Sequence, residues 1–235
     1  MQGTELPQQA AAVELRAVAR KFAHRWVLRG IDLRVHPGEI VALTGRNGSG
    51  KTTLLRICAT SLRPTRGSGS IFGLDLVEEG DAVREQVGLL GHTAGLYDDL
   101  TAAENLTFSL RMAGRRTDRS AIHNGLEQVG LAAEAGERVR GFSAGMRRRL
   151  ALARLLLRPP RLLLLDEPFA SFDADGVQCV NAFAIEVARA GGAVLVATHD
   201  VARGRGVFDR RVHITEGRVA DGSLDGDEGS GPGSP

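Results

Sequence analysis

The chain has 235 residues, 43% of them hydrophobic, with a formal net charge of +2. That length and apolar content suffice for one large domain or a core with a smaller subdomain. The near-neutral balance argues against nucleic acid as the main partner, since a nucleic-acid binder carries a basic footprint. Cys58 and Cys179 are the two cysteines. They stand far apart and outside any metal-ligand spacing, as expected of a reduced cytosolic protein.

In chain order, residues 1–12 read as a loose lead-in without the basic start and apolar core of a signal peptide. Short β-rich runs follow at 13–18, 31–36 and 40–44, with a turn at His36-Pro37-Gly38 between the last two. The pattern becomes helical from Gly50 to about Thr60. Residues 63–69 are turn-rich, 70–72 suggest a short strand, and 88–97 a strand running into a loop. From about 98 to 158 the chain reads as mostly helical. Thr101 and Glu104 form a capping box, a second helix covers 118–129, and a third runs from Ser143 to just before Pro159-Pro160. Two continuous apolar runs, 161–165 and 193–198, have the look of strands buried on both faces. The helix 174–190 between them implies a parallel pair with a crossover. No run approaches the ~20 apolar residues of a bilayer span. Residues 221–235 are Gly, Ser, Pro and acid, and read as a disordered tail.

Four motifs carry chemistry. Residues 45–52, GRNGSGKT, fit the phosphate-loop pattern between a strand and a helix. Gly45, Asn47, Gly48, Ser49 and Gly50 form the loop whose amides face phosphate oxygens. Lys51 reaches the β and γ phosphates, Thr52 holds Mg²⁺ through its hydroxyl, and Thr53 continues into the helix start. Residues 162–168, LLLLDEP, supply Asp166 to order a water on the metal and Glu167 to orient or deprotonate the attacking water. In 142–149, FSAGMRRR, Ser143 caps a helix, and with its exposed amides makes an anion site; a plain capped helix with a solvated arginine face is the alternative. His199, at a strand end in THD, suits a hydrogen bond to a γ-phosphate or the attacking water, or a purely structural place.

In this order, GRNGSGKT, FSAGM and LLLLDEP resemble the ATP-binding subunits of ABC transporters over residues 13–220. The resemblance implies an α/β fold: a RecA-like P-loop NTPase core, an antiparallel β subdomain, and a helical subdomain inserted at about 93–158. It implies ATP and Mg²⁺ as cofactors and hydrolysis by Glu167 and His199. Phe22 falls where the family stacks an aromatic on adenine, and Asp173 in the loop coupling the two ATP sites. It further implies a homodimer in which Ser143 and Gly145 serve the partner's ATP. An integral membrane transporter subunit completes the complex, placing the chain at the cytoplasmic face of the membrane as a peripheral protein that binds no nucleic acid. Two positions depart from the pattern. Met146 replaces the usual Gln of the signature, and His92 stands where a Gln normally joins the metal site to the membrane subunit. Imidazole is a poor direct Mg²⁺ ligand, which leaves His92 to a metal-bound water and to coupling. Gly-His at 91–92, the segment LTAAENLTF, SAG in the signature and LDEPF at 165–169 are similar to the haem-exporter branch serving cytochrome c maturation. Exporters of drugs, lipids or other small molecules, a soluble ATPase acting on DNA or ribosomes, and a non-hydrolysing regulatory subunit are the competing readings.

Overall fold

The computed structural model describes residues 10–91, 95–116 and 118–220. In chain order the elements are β1 (Val13–Phe22), β2 (Arg25–Val35), β3 (Ile40–Thr44), α1 (Lys51–Cys58), β4 (Arg66–Ile71), β5 (Leu74–Asp75), α2 (Gly80–Gln86), β6 (Val87–Leu90), α3 (Ala102–Met112) and α4 (Arg119–Gln128). They continue as α5 (Ala144–Leu156), β7 (Leu162–Asp166), α6 (Ala174–Arg189), β8 (Ala193–Ala197), β9 (Arg210–Thr215) and β10 (Arg218–Val219).

The strands form two sheets. One is a four-stranded antiparallel sheet in the order β2-β1-β4-β5. The other has six strands in the order β10-β9-β3-β8-β7-β6, parallel throughout except for the terminal β9–β10 hairpin. This is the core with antiparallel β subdomain that the family resemblance implied. The crossover expected from the two apolar runs is present, with β7 and β8 paired in parallel around α6.

The apolar runs are continuous because both faces of the large sheet are covered. Leu163, Leu165, Val194 and Val196 point into one core, shared with α3, α4, α5 and α6. Their neighbours Leu162, Leu164, Leu195 and Ala197 point into the other, shared with α1 and the antiparallel sheet. The period-2 alternation of strand side chains thus feeds two cores from one apolar run. Truncating Leu164, which is 0% exposed, is worth about 2–5 kcal/mol on the usual scale for buried leucines.

Helix starts obey their caps. Thr101 and Glu104 make the predicted capping box at α3, and Asp118, Ser143 and Asp173 each accept a backbone amide at the starts of α4, α5 and α6. These α3–α5 helices lie between β6 and β7 in sequence and pack on one side of the large sheet.

Several boundaries differ from the sequence expectation. Ala12, placed in the lead-in, is buried and donates its amide to Val35 O, while its own carbonyl accepts from Phe72 N. β2 starts at Arg25, six residues before the run that marked it. β4 occupies Arg66–Ile71, including most of the stretch read as turn. Its glycines are demanded by crowding: a Cβ on Gly67 would lie 2.4 Å from Ala17 O, and one on Gly69 2.6 Å from a Leu15 methyl. Residues 221–235, read as a tail, lie outside the described residues. Among the described residues no helix is long and apolar enough to cross a membrane.

Candidate functional site

The site lies where the parallel strands end, as open α/β sheets place ligands. β3 delivers the chain into residues 45–50, and α1 begins at Lys51. Gly45, Gly48 and Gly50 have φ of 137°, 80° and 114°, all in the region that favours glycine. Two of them are also sterically required. A Cβ on Gly45 would sit 2.2 Å from Ile214 O, and one on Gly50 2.5 Å from Leu28 Cδ2. Gly48 is different, with nothing within 4 Å of its would-be Cβ. Asn47 and Gly48 form the exposed crest, while Ser49, Gly50 and Lys51 are buried. Among the described residues the amides of Gly48, Gly50, Lys51, Thr52 and Thr53 donate to no protein acceptor. They are the orphan donors of a helix start, and with the helix dipole they form an anion cradle.

Lys51 is 6% exposed, and its ammonium donates to Gly45 O at 2.7 Å and, at 3.4 Å, to Arg46 O. It therefore curls over the loop it belongs to. Thr52 Oγ1 donates to Asp166 Oδ1 at 2.9 Å, bringing two hard oxygens together at the head of α1. That pair fits Mg²⁺, which takes one or two protein oxygens and fills its shell with phosphate and water.

Glu167 follows at the end of β7 with φ 48° and ψ 54°, a left-handed conformation for a residue that has a Cβ. Its amide donates to Ala197 O at 2.8 Å. Its carboxylate, 14% exposed, lies 2.9 Å from His199 Nδ1, and His199 itself is 63% exposed. Pro168 then turns the chain into a short 3-10 segment.

Lys51, Thr52, Asp166, Glu167 and His199 thus gather around one sheet edge. Ser143 and Gly145 stand apart at the start of α5, and no hydrogen bond or ion pair joins them to the phosphate loop among the described residues. Ser143 Oγ accepts Met146 N at 3.2 Å. Asp173 caps α6 through Gly176 N at 3.0 Å and pairs with the Arg149 guanidinium through both oxygens, at 2.6 and 2.7 Å. The Gly176 amide above all holds its carboxyl below the usual aspartate range, with burial opposing it and the Arg149 guanidinium adding to it. Phe22 ends β1, 43% exposed, with the Arg20 guanidinium 4.6 Å from its ring centre. His92 lies outside the described residues.

Two parts of the site were not found in the sequence. One is the backing of the phosphate loop by β9, where a Cβ on Gly45 would sit 2.2 Å from Ile214 O, while the following turn packs on β2, a Cβ on Gly217 coming within 2.3 Å of Val27 O. The other is Arg148, buried beneath Asp166 and Glu167 and hydrogen-bonded to both their carbonyls. Its signal was available: positions 148, 151, 152 and 155 are all buried, the i, i+3, i+4, i+7 stripe of a core-facing helix.

Comparison with known proteins bears on this geometry. Residues 28–170 match the family described as ABC transporter. The chain is 40% identical over 196 residues to the cytochrome c biogenesis ATP-binding export protein CcmA 2 of Cupriavidus metallidurans, covering 80% of this chain and 90% of that protein. It is 36% identical over 217 residues to the daunorubicin resistance ATP-binding protein DrrA3 of Streptomyces coeruleorubidus, covering 91% and 69%. Among solved structures, it is similar to an ATP-binding cassette captured as a post-hydrolysis dimer bound to ADP and Pi. The TM-score is 0.77 at 26% identity, with 88% of this chain and 96% of that one covered.

Proposed function

Since the chain belongs to the ABC transporter family, as an ATP-binding and ATP-hydrolysing subunit, we propose that it powers haem export for cytochrome c maturation. The supporting observation is its 40% identity across 90% of a cytochrome c biogenesis export protein, together with the branch-like motifs around His92 and Ser143.

In this reading the free amides of Gly48, Gly50, Lys51, Thr52 and Thr53 receive the ATP phosphates and Lys51 swings from Gly45 O onto the β and γ oxygens. Phe22 offers its exposed ring to adenine. Thr52 and Asp166 hold Mg²⁺, which supplies charge neutralisation on the β- and γ-phosphates. Glu167, aligned by His199, orients the water and takes its proton as the water oxygen bonds to the γ-phosphorus. The bond from that phosphorus to the bridging oxygen breaks, and ADP leaves with the electron pair. His199 is placed to donate to the γ-phosphate or to hold the water. Ser143 and Gly145 close over the ATP of a second copy, so an isolated copy is nearly inactive. His92 and Asp173 link nucleotide state to a membrane-embedded partner subunit and to the second ATP site, with the chain peripheral on the cytoplasmic face.

Glu167→Gln tests the chemistry: ATP binding persists while steady-state hydrolysis falls at least about 10²-fold. Normal hydrolysis in that variant refutes the assignment. Removal of the chain from its native cell tests the cargo, and loss of covalent haem attachment to c-type cytochromes is expected. Intact cytochromes with altered drug tolerance would instead favour drug export, the reading supported by the likeness to the daunorubicin resistance protein over 91% of this chain.

A further inference from the structure

We propose that Arg148 is a positioning residue for Glu167, gripping its peptide so that its carboxylate faces the attacking water. This inference rests on the reading of Glu167 as the group that handles that water.

Three consecutive arginines leave the first turns of α5 in different directions. Arg147 pairs with Asp98 at 2.6 Å and Arg149 with Asp173 at 2.6 Å, both at the surface. Arg148, between them, turns inward and is 6% exposed. Among the described residues no carboxylate lies within ion-pair distance of it. Its Nη2 instead donates to Asp166 O at 2.7 Å and Glu167 O at 2.6 Å. The guanidinium lies 5.9 Å from the centre of the Phe172 ring, and its buried Nε has no hydrogen-bond partner.

A cation placed this way is costly, because a buried charge is normally paired. Burial pushes the Arg148 guanidinium down, and the nearby Asp166 and Glu167 charges pull it back. For packing alone an apolar side chain of similar length would serve better. What the arginine adds is a pair of directed, charge-assisted hydrogen bonds on two successive carbonyls.

Those carbonyls lie on either side of Glu167, whose φ of 48° is the one positive φ of a non-glycine residue of the site among the described residues. Glu167 sits in the left-handed region, where a non-glycine residue persists only if its surroundings hold it. Four residues do so. Ala197 O of β8 takes its amide, His199 Nδ1 meets its carboxylate, and its carbonyl accepts from Arg148 of α5 at 2.6 Å and from the Ala170 amide at 3.3 Å. With the Arg148 contact gone, only the longer Ala170 bond holds that carbonyl, and the backbone can relax toward commoner angles and carry the carboxylate off line. Displacements of about 1 Å at such a group cost up to about 100-fold in rate.

The test uses the full-length chain, with ATP turnover and binding of a fluorescent ATP analogue measured on folded protein. Arg148→Lys keeps charge and donors on a shorter reach and is expected to lower kcat about 10-fold, with KM for ATP within about twofold. Arg148→Met removes the donors and should lower kcat about 100-fold. If Arg148→Met does not fold, Arg148→Lys alone decides. In a Glu167→Gln background, Arg148→Lys should cause no further loss of the residual rate, because its effect runs through Glu167. An unchanged kcat in Arg148→Lys, or an equal loss in both backgrounds, overturns the inference while leaving Glu167's role standing. Full turnover in Glu167→Gln alone sinks the reading of Glu167 itself, and the role of Arg148 with it.

Discussion

Thr52 Oγ1 donates a 2.9 Å hydrogen bond to Asp166 Oδ1 across a sequence separation of 114 residues. It ties the first turn of α1 to the end of β7. Asp166 is 4% exposed, so Thr52→Val leaves a buried carboxylate oxygen short of a donor, at a cost of about 1–3 kcal/mol. If the same pair holds Mg²⁺, the Mg²⁺ concentration for half-maximal ATPase rises about 10-fold or more. ATP binding without metal stays as it was. A magnesium titration of wild type and Thr52→Val settles the matter, and superimposable curves would exclude Thr52 as a ligand.

The glycines of the phosphate loop are predicted to differ in what they do. Gly45→Ala drives a Cβ into Ile214 O, a backbone atom that cannot rotate away. Gly48→Ala meets no neighbour and bears only the left-handed strain, about 1–2 kcal/mol. Gly45→Ala should therefore melt well below Gly48→Ala in thermal denaturation. Gly48→Ala should remain folded and lose ATP affinity, because the new methyl group stands on the crest where phosphate approaches. Equal melting temperatures would show that the β9 strand yields.

The two thiols should separate cleanly by reactivity. Burial pushes the Cys58 thiol up to about 12, and it pushes up the half-buried Cys179 as well. Thiolate is the reactive form. A disulfide-exchange reagent at neutral pH is expected to modify Cys179 slowly in the native protein, and Cys58 only at the rate of global unfolding. Both react at once in denaturant. Two equally fast native thiols would mean that the α1 core opens far more readily than its packing implies.

Acid should weaken the fold through its helix starts. The Ala121 amide and the Ser120 hydroxyl hold the Asp118 carboxyl low, and the Thr101 amide and hydroxyl do so for Glu104. With Asp173, three depressed carboxyls sit at three helix N-termini. A group whose folded pKa lies below its unfolded value stabilises above the unfolded value and loses that contribution as pH falls through the folded one. Melting temperature should thus be flat near neutrality and drop below about pH 4, the ordinary range of these groups. Asp118→Asn, which keeps a capping oxygen without the charge, should flatten part of that drop. A melting temperature that rose on acidification would contradict the assignment.

Much of the site was legible because its parts are local. A strand, a glycine loop and a helix follow one another at 40–58, and a buried strand ends in two acids at 162–167, so contiguous letters carry the geometry. Illegible features depend on distant partners. Gly67 and Gly69 look like turn residues until Ala17 and Leu15 are found against them. The β9–β10 hairpin has no motif at all. The three arginines at 147–149 are identical letters, and only helical phase sends the middle one inward. A solvated arginine face describes its neighbours, which pair at the surface, and fails for Arg148.

The contact between Gly45 and Ile214 has a consequence for how the chain can be divided. The phosphate loop, the signature, the acidic strand end and the terminal histidine all lie between residues 45 and 200, and the match to the family ends at 170. Yet the floor under the first glycine of the loop is laid by β9, which also pairs with β3 along the register Val41–Thr44. A fragment trimmed to its motifs would retain every signature residue and lose the platform that shapes the first of them. The last described strands of the chain are thus a founding part of its first ligand site.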